Sequence, residues 1–383
     1  MQVQQHASDS AQSFVNIACI IGTGDLCAAT SGRAAGKLPR PEHKDVAMQF
    51  STPKLLLVLT LAASPVFAIG QTTTTSEPRT LDTVVVSGQV RGPGFWQVYK
   101  DDQHDLWIMG TLSPRPGNIQ WDAAEAKRLV SDADLVLWPA IYGVDIKSNI
   151  FQQLGLGYGY LKAQKNPDGK TLKEVISPAL YSRWEKAKAI YMPHNGSVER
   201  QRPLTAAQDI LDAAMKQARL SKAPLIVPAI GETIKVGKIP QLQPQFIVHL
   251  TTPQAKAALA DVRQQNLDDT RCLEATLDAI DQDMPRMVAN ANAWAIGDID
   301  SLSFNALAER EALCADAMMN PEFSAKHGLP NIPASITAEW LKEAEKALST
   351  KGLTVAFLPI ENLVGPSNVL DMFRAKGYTV NGP

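Results

Sequence analysis

Two short loops carry the side chains best placed for chemistry. In the first, Gly110-Thr111-Leu112-Ser113-Pro114-Arg115 follows the apolar run Leu106 to Met109; in the second, Glu361 and Asn362 follow the run Val355 to Leu358. Loops at strand ends are where α/β proteins commonly place function. Ser113 becomes a nucleophile only with a base beside it; nothing local supplies one, and the GxSxG elbow is absent here. The plainer reading is a rigid loop, with Gly for the turn, Thr and Ser bonding backbone, and Pro fixing the path. Glu361 and Asn362 either line a cleft shared with the first loop or open a helix, with Asn362 or Ser367 as its cap. A third set lies mid-chain: Asn292, Trp294, Gly297 and Asp298, with Glu309 and Arg310. Asp298 and Glu309 bind a cation or substrate, or belong to a solvated helix face. Trp294 reads as core. The candidate catalytic residues are therefore Ser113, Glu361 and Asn362, and the candidate substrate-binding residues are Gly110, Thr111, Arg115, Trp138, Asp298 and Arg310.

Other chemistries find less support. His104, His194, His249 and His327 are scattered and form no HExxH pattern. A zinc hydrolase usually needs three protein ligands, and no such triplet can be named, so neither a metal nor another cofactor is expected. The glycines of 143–160 do not follow the GxGxxG spacing of a dinucleotide site. A formal net charge of -2 gives no bias toward nucleic acid. Cys272 and Cys314 sit in helix-like surroundings. An oxidising compartment would let them pair, provided their α-carbons lie within about 7 Å. The disulfide is the expectation; two separate buried thiols are the alternative.

The elements that must hold these residues follow from periodicity. Trp96 to Tyr99 alternates like a strand, Asp101 and Asp102 turn it, and Leu106 to Met109 returns, which predicts a hairpin. A helix over 121–131 and a buried strand at Leu135 to Trp138 come next. Residues 143–160 are glycine-rich without a clear period and read as a flexible loop. Thr171 and Glu174 form a capping box. Helices are expected at 178–190, Leu204 to Leu220, Thr251 to Ala260 after a strand at Phe246 to Leu250, Cys272 to Asp281, Met284 to Gly297, Ser303 to Met319 and Thr337 to Leu348. The Pro- and Gly-bearing stretch 221–241 reads as a surface insertion. Val355 to Leu358 is a strand, Val369 to Ala375 a helix and Tyr378 to Val380 a last strand. The fold class is therefore α/β, a mixed central sheet from N- and C-terminal segments with a long helical middle region.

The N-terminal part reads differently. From Met48, the sequence MQFSTPKLLLVLTLAASPVFA has a positive residue, Lys54, a short apolar run, Leu55 to Ala63, and a cleavage-type Val66-Phe67-Ala68. That is the pattern of a secretory signal peptide over 48–68, and its run is shorter than the roughly 20 residues of a membrane span. Residues 1–47 are then a disordered leader or a mis-assigned start. Residues 69–94 are a flexible tail with one β-prone run, and 95–383 form the folded domain. Periplasmic localisation follows. An envelope protein or peptide is the expected partner, with no nucleic acid and no transmembrane span in the mature chain; the oligomeric state is open.

The order of motifs resembles the TraB/GumN family. The resemblance rests on FWQVYKDDQHDLWIMGTLSP, DAAEAKRLVSDADLVLW, the mid-chain Trp294-Ala295-Ile296-Gly297-Asp298 and the closing LTVAFLPIENLVGPSNVLDMFRAKGYTV. It implies a fold similar to the erythromycin esterase/ChaN-like group. It also implies kinship with metal-dependent proteases, the Wnt-inactivating proteins of animals. The family's Gly-x-x-His motif falls on Gly110 to Ser113, its acidic residue on Trp138-Pro139, and its second histidine on Asn362. The resemblance thus argues for the fold and against the family's metal chemistry. It implies a catalytically degenerate binding or interaction protein; the alternative is a periplasmic, peptidase-like hydrolase with a rebuilt active site. Separately, Leu81 to Gly88, LDTVVVSG, resembles the energy-coupling box of TonB-dependent receptors and could pair with a partner's sheet edge; a local strand is the alternative.

Overall fold

Two apolar strands at the start of the folded region and one near its end build the centre of the molecule. The computed structural model describes residues 92–223, 225–264, 269–303, 305–365 and 368–383. The expected leader over 1–47, the expected signal peptide over 48–68 and the run Leu81 to Gly88 lie outside them. The hairpin forms as its alternation requires, from β1 (Phe95–Tyr99) and β2 (Asp105–Thr111), with Phe95 opposite Met109 and Tyr99 opposite Asp105. β9 (Leu353–Pro359) pairs parallel with β2 and is buried continuously from Thr354 to Leu358. An uninterrupted apolar strand of this kind belongs at the centre of a parallel sheet covered on both faces. β4 (Leu135–Leu137) flanks β9 on its other side, also parallel. The short β7 (Gln241–Leu242) pairs with β4, and β10 (Thr379–Asn381) closes the far edge against β1. The six-stranded order is β10-β1-β2-β9-β4-β7. Asp134 locks the start of β9 to β4: its Oδ2 accepts the N–H groups of Gly352 at 2.9 Å and Leu353 at 3.1 Å.

Helices cover this sheet and extend from it. Ile226–Gly237, Met287–Ala295, Ile332–Leu348 and Val369–Ala375 contribute Ile230, Trp294, Trp340 and Phe373 to the core around β2, β4 and β9. A second apolar core is helical. Pro178–Tyr191, Pro203–Gln217, Thr270–Gln282 and Asn305–Met319 meet around Trp184, Ile210 and Leu273. The Cys272–Cys314 disulfide joins two of these helices, with α-carbons 4.6 Å apart. All described residues fall in one folded unit. No helix among them is long and apolar enough to cross a membrane.

Several elements differ from the sequence expectation. The glycine-rich 143–160 is no loop: it holds the end of β5 (Ile141–Lys147) and most of a helix, Ile150–Ala163. β5 pairs parallel with β8 (Gln245–Thr251) in a separate small sheet. The missed signal was an N-terminal box, in which Asn149 Oδ1 accepts the Gln152 N–H and Gln152 Oε1 accepts the Asn149 N–H, both at 2.9 Å. This helix leaves Phe151, Leu154, Tyr158 and Leu161 exposed, so no single buried stripe marked it. The stretch 221–241 is also no insertion. Its helix Ile226–Gly237 buries Ile226, Ile230 and Ile234, a four-residue period that tolerates Pro228 in the first turn. The last long helix begins at Ile332 rather than Thr337, because Asn331 Oδ1 caps it by accepting the Ala334 N–H.

Candidate functional site

The two candidate loops meet because β2 and β9 are parallel neighbours. Gly110 lies opposite Leu358 and Thr111 opposite Pro359, so both strands end at one mouth. Three hydrogen bonds fasten it. The Ile360 N–H donates to the Thr111 carbonyl at 2.9 Å, Thr111 Oγ1 donates to the Leu358 carbonyl at 3.1 Å, and Trp294 Nε1 donates to the Gly110 carbonyl at 2.7 Å. Gly110 gives Ile360 its room: a Cβ there would stand 2.1 Å from Ile360 Cδ1 and 3.2 Å from its Cβ, so any larger residue requires the buried Ile360 to shift. Gly110 and Thr111 thus shape the mouth. Trp294 is fully buried, as its apolar surroundings required, and its indole also fixes the first loop.

Ser113 is exposed, beside a cis peptide to Pro114. Its Oγ donates to the Lys222 carbonyl at 3.4 Å. No hydrogen bond joins it to a histidine among the described residues. His104 precedes β2, at the opposite end of a seven-residue strand, roughly 20 Å away at about 3.3 Å per residue. His104 pairs with Asp101, His249 with Asp145 and His327 with Asp261, and His194 is exposed on a turn. The Ser113 hydroxyl is thus engaged with a backbone carbonyl rather than with a base of the kind nucleophilic catalysis requires.

Glu361 opens the short helix Glu361–Val364, half-buried at the mouth. Burial pushes its carboxyl up to about 7, and the carboxylate of Glu311 adds in the same direction; a bond from its own backbone N–H opposes them. Glu311, which the sequence reading passed over for Glu309, lies on the helix Asn305–Met319. It touches solvent, yet protein surrounds it closely enough that desolvation raises its carboxyl against the pull of Arg310 and Lys222. Lys222 Nζ pairs with Asp212 at 2.8 Å. Arg310 is held from behind, its Nε donating to Thr276 Oγ1 at 3.2 Å and its Nη2 to Gln208 Oε1 at 2.9 Å. Ser113 thus touches the Lys222 backbone, while Glu311 feels Lys222 and Arg310 electrostatically and acts in turn on Glu361. A carboxyl near 7 beside a second one is suited to proton exchange or to gripping a polar ligand.

The other candidates separate. Asn362 is exposed, and it is Asn368, not Asn362, that caps the helix Val369–Ala375; Ser367 lies outside the described residues. Trp138 stands past the end of β4, stacked on Phe357 at 5.3 Å and donating from Nε1 to Gln241 Oε1 at 3.0 Å. It lines a separate cavity of about 400 Å³ with Val227, Ile234, Lys235 and Lys238. Asp298 is exposed on the turn after Met287–Ala295, where its backbone N–H donates to Ala293. Arg115 begins β3 (Arg115–Pro116), which pairs with β6 (Leu220–Ser221), and is buried.

The metal implied by the resemblance does not fit these residues. At its three positions stand the Ser113 hydroxyl, the Trp138 indole with the Pro139 ring, and the Asn362 amide, all poor donors for zinc beside imidazole or carboxylate. Among the described residues no group of three His, Cys, Asp or Glu side chains comes together in a way that could hold an ion. No mechanistic step is assigned to a metal.

A parallel β2–β9–β4 core with its polar groups at the C-terminal strand ends defines an α/β protein with a strand-mouth site. The model of the TraB/PrgY/gumN family matches residues 94–382, and the chain belongs to that family. No curated protein and no solved structure matches it significantly.

Proposed function

We propose that this chain is an exported, catalytically degenerate member of its family, acting in the periplasm as a binding or interaction protein for an envelope protein or peptide. The observation that carries the reading is the composition of the shared mouth. β2 and β9 deliver a hydroxyl, a carboxyl and an amide there, at Ser113, Glu361 and Asn362, and no imidazole. The Cys272–Cys314 disulfide supports the oxidising compartment that the signal segment implies.

The test restores what the resemblance says was lost. Ser113→His with Asn362→His places two imidazoles near Glu361, a zinc-competent donor set. Zinc titration by calorimetry should give stoichiometric uptake by the double variant and none by the wild-type chain. Stoichiometric uptake by the wild-type chain overturns the proposal.

A second reading, a periplasmic, peptidase-like hydrolase with a rebuilt site, is favoured by one observation. Glu361 titrates near neutrality beside Glu311, the arrangement of an acid–base pair. Peptide hydrolysis that persists in chelator and is lost in Glu361→Gln would establish it.

A further inference from the structure

Arg115 is a buried cation without a counter-ion. It is 7% exposed, two residues beyond Ser113, on the strand paired with the segment leading to Lys222. Its Nη1 donates to the adjacent Pro116 carbonyl at 3.0 Å. Nε is sealed from solvent and has no partner, while Nη2 has no protein partner and keeps contact with solvent. Burial weakens its hold on the proton, and no carboxylate among the described residues acts in the other direction.

The comparison with Arg202 shows how unusual this is. Arg202, 4% exposed, forms an ion pair with Asp269 at 3.5 Å and donates to the Val262 carbonyl. Burying a charge is costly unless it is paired. A guanidinium cannot escape by losing its proton, as Glu361 can by keeping one. Arg202 has its anion within the chain; Arg115 does not. Among the described residues, Arg115 is the one cationic side chain with a sealed, unpartnered donor.

The two unpartnered nitrogens also belong together. Nε and Nη2 form one edge of the guanidinium, whose parallel N–H bonds match the two oxygens of an oxyanion. Nη1, on the other side, is the one already used. A carboxylate is planar, with two oxygens spaced to accept both N–H bonds of this edge in one plane.

We propose that the Nε–Nη2 edge of Arg115 is the anchor of a carboxylate subsite, taking a carboxylate group of the ligand at the Ser113 side of the mouth. The inference names the ligand chemistry of the binding reading above and rests on it for the ligand. The zinc test does not involve Arg115, so the two can fail separately.

The experiment is thermal unfolding of the full, disulfide-intact chain in sodium acetate, with sodium phosphate and sodium chloride at matched ionic strength. Acetate should raise the wild-type Tm saturably, by about 2–4 °C at ten times its Kd, with phosphate weaker. Arg115→Met removes the unpaired charge but keeps an apolar stem. It should melt above the wild type without acetate and show no acetate response. Arg115→Lys keeps the charge, loses the fork and should lose the response. An Arg115→Met chain that melts below the wild type or fails to fold makes the guanidinium structural and overturns the proposal. So does phosphate matching or exceeding acetate. The Arg115 Nε–H nuclear magnetic resonance signal in the wild type gives an independent reading. It should shift saturably with acetate, and a stationary signal also overturns the assignment.

Discussion

Replacing Glu361 with glutamine should stabilise the protein in base and do little in acid. The folded state holds the Glu361 carboxyl at about 7 against an ordinary 4.5. Folding therefore strengthens its grip on a proton. That contribution is fully present below the unfolded value and is lost as pH rises through the folded one. At about 1.4 kcal/mol per pH unit, the gap amounts to roughly 3 kcal/mol, most of which falls between pH 5 and pH 8. Above pH 8 the wild-type chain carries a desolvated carboxylate facing Glu311, whereas glutamine keeps the shape without the charge. Urea unfolding of both chains at pH 5 and pH 8 reads the difference directly. The variant's advantage should grow by roughly 2–3 kcal/mol between the two pH values, since groups common to both chains cancel. Equal effects at the two pH values, or a variant less stable at pH 8, would refute the desolvated placement of Glu361. Glu311→Gln should shrink the gap by removing the facing charge.

Three further outcomes follow from the same structure. The Cys272–Cys314 bond closes a sequence separation of 42, and the chain-entropy relation gives it about 4 kcal/mol, so Cys272→Ala with Cys314→Ala should lower the unfolding free energy by about 2–4 kcal/mol. Gly110→Ala forces the buried Ile360 to move at the strand mouth and should cost about 1–3 kcal/mol by urea unfolding, with an altered Glu361 titration. Amino-terminal sequencing of the chain from a periplasmic fraction should begin at Ile69, and a start at Met1 there would contradict the export reading.

Much of the sheet could be read from the sequence because its signals are local. The β1–β2 hairpin follows from alternation and two aspartates, and the apolar run at Val355 to Leu358 fits only a buried strand. The disulfide was legible as a possibility, and the geometry then satisfied it. What escaped was masked by composition. The glycines of 155, 157 and 159 hid a helix whose capping box at Asn149 and Gln152 was present in the sequence. Pro228 and Gly231 hid another whose isoleucines recur every four residues. The candidate site was half legible: strand ends pointed to Ser113 and Glu361, and parallel pairing brought them to one mouth. Glu311 acts on Glu361 electrostatically and the Lys222 carbonyl accepts from Ser113, from positions about 50 and 140 residues away from Glu361 in sequence, couplings no local pattern encodes. Trp138 and Asp298 looked comparable to Arg310 in sequence, yet one lines another cavity and the other is exposed on a turn.

The most direct test of the account is elemental analysis of the chain isolated from a bacterial envelope without chelator. The account expects zinc, manganese and iron far below one atom per chain. One tightly held ion per chain, retained through dialysis and traced to the mouths of β2 and β9, would contradict it.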